Sequence, residues 1–167
     1  MTVADLLKDA FERMRELGHD AVEGLSTEQL TTQPEGKGNS IAWLVWHLAR
    51  VQDDHLADAG GYEQVWTAQG WEQRFGLPFD KGETGYGQSS AEVAQVKADA
   101  ALLAGYLDAV LDRTLDYLEG LTDADLDRVV DEQWDPPVTL GVRLVSVIGD
   151  DMQHLGQAAY VKGLLGT

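Results

Sequence analysis

The stretch IAWLVWHLARVQDDHLADAGG, residues 41–61, decides how this chain folds. Its first eight residues are apolar on nearly every side, which suits a helix set deep in a molecule rather than one lying on its surface. Ser40 stands where an N-cap belongs. The second half turns polar, and Gly60 and Gly61 stop it. The pattern predicts a helix from Ile41 to about Ala59, around which other helices must pack.

Those helices lie on both sides. Upstream, Val3, Leu6, Leu7, Ala10, Phe11, Met14, Leu17, Ala21 and Leu25 recur at spacings of three and four, giving an amphipathic helix with one buried stripe. A connecting loop follows over residues 26–39, with Pro34, Gly36 and Gly38, and with Ser26 placed to cap a short turn. Downstream, residues 62–88 break up into one or two short helices and a loop bearing Trp66, Trp71, Phe75, Phe79 and Tyr86 among glycines. Ser89 or Ser90 then opens a third long helix, expected to run to about Leu118 on the stripe Val93, Val96, Ala100, Leu103, Leu107, Val110, Leu111. After Gly120 come another short turn, Trp134 and the paired prolines Pro136 and Pro137. A last helix spans about Leu140 to Leu165. No useful period-two alternation appears. The expected fold is therefore all-α, a four-helix bundle forming one domain over residues 1–167, with an aromatic and glycine-rich excursion between the second and third long helices.

Composition narrows the function classes. Among 167 residues, 12 Lys plus Arg face 29 Asp plus Glu, a net charge of −17, which disfavours nucleic acid and anionic membrane surfaces as partners. No apolar run approaches the ~20 residues of a membrane span, the N-terminus lacks the features of a signal peptide, and the cytoplasm is the expected compartment. The absence of cysteine excludes disulfides, thiolate-ligated metals and a cysteine nucleophile on this chain, so any metal must be held by His, Asp and Glu. The window KGETGYGQ lacks the preceding strand and the Gly-Lys-Ser/Thr of a phosphate-cradling loop, and there is no G-x-S-x-G elbow.

The four histidines carry the remaining chemistry. His154 follows Asp150 by four residues on the last helix, so the two share a face and can present a nitrogen and an oxygen to one point. If the second long helix packs beside the last, His47 supplies a third ligand. Facing helices of a bundle are a known place for such sites. A carboxylate between Ile148 and Met152 is costly to bury without a cation or donor. Asp54, Asp151 or a backbone carbonyl are candidate acceptors for the imidazole N–H groups, and Asp151 is the fallback ligand if the helix phase differs. Arg50, one turn past His47, either holds an anionic substrate group or pairs with Asp53 or Asp54. His55 lies ~12 Å along the helix from His47 and reads as a rim residue. His19 reads as solvated, and Trp43 and Trp46 as core and interface.

The stretch GNSIAWLVWHLARVQDDHLAD, together with DDMQHLGQAAYVKGLL near the C-terminus, resembles the DinB-like superfamily, and more narrowly its actinobacterial branch linked to mycothiol-dependent transferases. The resemblance implies a four-helix bundle, often dimeric, holding a divalent metal through one His on the second helix and a His-x-x-x-His pair on the fourth. His47 and His154 match two of those positions. The middle one is Asp150 here, a set of two nitrogens and one carboxylate that suits zinc or nickel, and also iron(II) or manganese. The implied activity is that of a transferase using a low-molecular-weight thiol, which the metal activates as thiolate to attack an electrophilic small-molecule substrate, in a homodimeric assembly. Two other readings share these residues. One is metal-dependent hydrolysis at the same site; the other is a non-catalytic bundle that binds a small ligand.

Overall fold

The structure, a computed structural model, describes residues 1–166. Helix α1 (Val3–Val22) begins at a capping box in which the Thr2 hydroxyl accepts from the Asp5 N–H and the Asp5 carboxylate accepts from the Thr2 N–H. A second capping box, Ser26 with Gln29, starts the short α2 (Thr27–Thr31), and Pro34–Gly36 forms a 3₁₀ turn. Helix α3 (Ile41–Gly60) is capped by Ser40 and ends at Gly61, which takes the left-handed conformation that favours glycine. All ten residues from Ile41 to Arg50 are buried, as the unbroken apolar run demands.

The excursion holds α4 (Val65–Ala68), α5 (Trp71–Phe75) and, after a loop, α6 (Ser90–Val93). The third long helix is shorter than its apolar stripe suggests. Ser89 caps only the single turn of α6, the chain then runs without helical structure through residues 96–99, and α7 (Ala100–Glu119) starts afresh. The cause is Asp99, whose carboxylate accepts from the Leu102 N–H at 2.8 Å and so works as an N-cap rather than as a helix-interior residue. Val93, Val96 and Ala98 are buried all the same, which is why their spacing imitates a helix.

Between α7 and the last helix, a 3₁₀ turn at Asp123–Asp127 leads into an antiparallel pair, β1 (Val129–Asp131) and β2 (Val138–Thr139). This hairpin is an addition to the expected all-helical layout. Strands of three and two residues are too short to show alternation. Thr139 then caps α8 (Leu140–Leu164). The four long helices form a ring in which α1 packs on α7 and α8, and α3 packs on the same two from the opposite side. Gly18 allows the close approach of α1 to α7, since a Cβ there would stand 2.2 Å from Leu107 Cδ2. The buried apolar side chains form one cluster drawing on all four helices and the excursion. Because α3 lies against α8, residues 47 and 154 become neighbours. No helix among the described residues is long and apolar enough to cross a membrane.

Candidate metal centre

His47, Asp150 and His154 come together. Each offers one ligand atom, and these atoms lie within 4.8 Å of one another. The rings of His47 and His154 meet edge to face at a centroid distance of 4.8 Å, and His154 Nε2 stands 3.5 Å from Asp150 Oδ1. The i,i+4 relation supplies the second pair, and the α3–α8 packing supplies His47.

Two neighbours fix the His47 ring. Trp43, one turn earlier, stacks on it at 4.4 Å with an interplanar angle of 13°. On the other nitrogen, Nδ1–H donates to the Thr84 carbonyl at 2.6 Å, so the neutral ring turns the Nε2 lone pair to the triad. Thr84 belongs to the glycine-rich window that lacks phosphate-loop features; here it closes over the site. Gly85 makes this fit. Its φ is +96°, and a Cβ on it would lie 2.8 Å from His47 Nδ1 and 2.9 Å from Trp46 Cζ3. On α8, His154 Nδ1–H donates to Gln157 Oε1 at 3.3 Å.

The electrostatics follow from these contacts. Burial lowers the His47 pKa from its ordinary value, against the pull of the Thr84 hydrogen bond. The hydrogen bond with Asp150 raises that of His154. Burial tends to raise the Asp150 pKa, but its interactions with His154, His47 and His55 outweigh that and leave it lowered. One Asp150 oxygen, Oδ2, is buried and has no hydrogen-bond partner. A buried, unpartnered carboxylate oxygen beside two imidazole nitrogens is what a divalent ion would satisfy, and the N, N, O set fits zinc and its neighbours.

The other expected residues go elsewhere. The imidazole acceptors are a backbone carbonyl, that of Thr84, as one of the expected alternatives had it, and Gln157 Oε1; Asp54 and Asp151 play no such part. Asp54 accepts from Gln64 Nε2 at 2.7 Å. Asp151 is fully buried, and neither of its oxygens has a partner. It shares a helix face with Val147 and Leu155, both core residues, and so turns into the core and is not one of the three converging donors. Arg50 is 0% exposed, and its guanidinium is committed within the protein. It donates to the carbonyls of Glu83 and Lys81, to Gln64 Oε1 and to the Tyr106 hydroxyl, and lies 3.7 Å from Asp53. Arg50 thus anchors the excursion loop to α3; the alternative pairing with Asp53 is present, and no route to a substrate is. His19 is exposed and meets Asp108 at 2.9 Å.

What the sequence left unseen is a cleft of about 470 Å³ beside Asp150, between α3, α8 and the hairpin. His55 lines it from α3, Arg143 and Asp150 from α8, and Asp131 and Trp134 from the hairpin. His55 is a wall of this cleft, its Nδ1 accepting from Arg143. Burial and the Arg143 charge lower the His55 pKa and keep the ring neutral.

Fold and site together define a class of helical bundle with a three-residue donor cluster between two facing helices. The chain belongs to the DinB superfamily, whose sequence model matches residues 10–158, as residues 38–58 and 150–165 led us to expect. Among solved structures it is similar to a conserved protein from Enterococcus faecalis, with 33% identity and a TM-score of 0.92 over 100% of this chain and 99% of that one. No curated protein matches the sequence.

Proposed function

We propose that this protein is a divalent-metal-dependent enzyme in which His47, Asp150 and His154 hold the ion, and that it transfers a low-molecular-weight thiol of the mycothiol kind. The observation that carries the reading is the convergence of the three donors, one an unpartnered buried carboxylate oxygen, at the edge of a substrate-sized cleft. Zinc or nickel suits the donor set best; iron and manganese are also compatible. Bound there with a free coordination position, such an ion supplies acidification of a thiol or water ligand near neutral pH.

The chain's own residues do the rest. Thr84 and Trp43 hold the His47 ring with Nε2 forward, and the Asp150 carboxylate neutralises part of the ion's charge. The cleft admits the small-molecule substrate. With no cysteine on the chain, sulfur chemistry here requires a thiol from solution. A cytoplasmic location agrees with this, since thiols stay reduced there. The homodimer is supported by exposed apolar residues along the outer face of α8, including Val142, Val145, Met152 and Tyr160.

Elemental analysis tests the metal assignment. The wild type should retain close to one zinc or nickel per chain after dialysis, and His47→Ala and His154→Ala should retain almost none. Equal metal content in all three would overturn it. Substrate turnover that persists unchanged without any thiol would replace thiol transfer by hydrolysis at the same site.

A further inference from the structure

Arg143 from α8 and His55 from α3 meet at the lining of the cleft, and their hydrogen bonding leaves both with donors to spare. A guanidinium carries five N–H groups. One from Arg143 goes to His55 Nδ1, and one goes to Asp131 Oδ2 at 2.9 Å. Among the described residues no protein acceptor takes the others. His55 accepts at Nδ1, so its neutral ring carries hydrogen on Nε2. That Nε2–H likewise has no protein acceptor among the described residues. The cleft therefore holds a cationic fork and a neutral donor side by side. Each is fixed by the other, and the hairpin's Asp131 steadies the fork.

Such a pair selects its ligand. A guanidinium fork matches the two oxygens of a carboxylate, and a third donor at its side adds direction. Asp131 and Asp150 also line the cleft, and the whole chain carries a net charge of −17, so a doubly charged phosphate is disfavoured against a singly charged acid. Trp134, 67% exposed, and Val138 offer an apolar wall to the body of such a molecule. We propose that the cleft is an anchoring site for a small monocarboxylate, its carboxylate group held by Arg143 and the His55 Nε2–H, its remaining atoms lying toward Asp150. The role of this acid as substrate rests on the metal-enzyme reading above; the anchoring itself does not.

Benzoate is the probe, with benzamide and phenyl phosphate as the neutral and doubly charged comparators. Binding is followed by NMR titration of the protein in EDTA and again after zinc loading. Benzoate should bind the metal-free protein at least tenfold more tightly than either comparator. Arg143→Met should weaken it at least tenfold, and His55→Leu roughly three- to tenfold. Asp131→Asn removes the carboxylate that competes for Arg143 and should tighten benzoate binding severalfold, a gain that a poorly folded variant would not give. Comparators that bind as tightly as benzoate would overturn the inference. So would benzoate binding that needs zinc and ignores Arg143→Met. If the wild type takes up no zinc while benzoate still binds through Arg143, the metal reading falls and the anchoring site stands; zinc uptake with benzoate indifferent to Arg143 gives the reverse.

Discussion

Replacing Asp151 by Asn should make this protein more stable at neutral pH, and the gain should grow with pH. The carboxyl is 0% exposed, has no hydrogen-bond partner on either oxygen, and sits on the core face of α8. Burial, and then the neighbouring Asp150 charge, raise its pKa well above the ordinary value. The folded molecule therefore keeps a proton that the unfolded chain releases at a pKa of about 3.9. A carboxyl whose folded pKa is raised gives its full stability below the unfolded value and loses it as pH climbs toward the folded one. Each pH unit inside that window removes up to about 1.4 kcal/mol, so two units inside it remove up to roughly 3 kcal/mol. Asn carries no such proton. The two proteins should be nearly equally stable at pH 4, and the variant should pull ahead by up to that amount between pH 5 and 7. Urea unfolding in EDTA at several pH values measures it, and taking the difference between the two proteins removes the opposing contributions of the histidines. A difference that stays flat with pH, or a variant weaker at pH 7, would show that Asp151 is ionised and partnered.

Other outcomes follow from the same geometry. Gly85→Ala places a methyl against His47 and Trp46 at a positive φ; it should destabilise the fold by roughly 1–3 kcal/mol and weaken zinc binding ten- to a hundredfold, read by thermal melts and competition with a chelating dye. Arg50→Met removes four hydrogen bonds and leaves Asp53 short of its buried cation. It should cost about 3–5 kcal/mol and speed tryptic cleavage at Lys81. Asp150→His should tighten zinc or nickel binding and Asp150→Asn should loosen it; unchanged isotherms for both would remove Asp150 from the ligand set. Zinc affinity of the wild type should rise with pH until His154, whose pKa is raised, has lost its proton. Light scattering should show a dimer that strengthens with salt, because −17 charges per chain repel, and Val145→Glu with Met152→Glu should give a monomer.

The parts of this structure legible in the sequence are those set by local rules. The run from Ile41 to Leu48 is apolar on nearly every side, and all ten residues from Ile41 to Arg50 are buried. Asp150 and His154 are four apart on a helix, and they meet. What could not be read depends on contacts between distant segments or on very short elements. The stripe from Val93 to Leu118 is helical from Ala100 onward, but over residues 94–99 it marks burial without helix, because Asp99 diverts the backbone to cap α7. Arg50 could have served a substrate or a carboxylate; only the path of the excursion, with the Glu83 and Lys81 carbonyls, Gln64 and Tyr106 around it, decides for a structural anchor. The cleft went unseen because one wall is a hairpin of three- and two-residue strands. His55 and Arg143 stand 88 residues apart, with no pattern to link them.

The hydrogen bond from His47 to the Thr84 carbonyl has a consequence for anyone who would transplant this centre. A main-chain oxygen has no codon of its own. Alanine scanning would pass over position 84 with little effect and register the loop only at its glycine neighbour. A designer who copied the three donor side chains onto another bundle would leave His47 free to spin or to bind through the wrong nitrogen. The unit to be grafted is a piece of backbone shape, carried by the loop and pinned down by Arg50, as much as it is a set of residues.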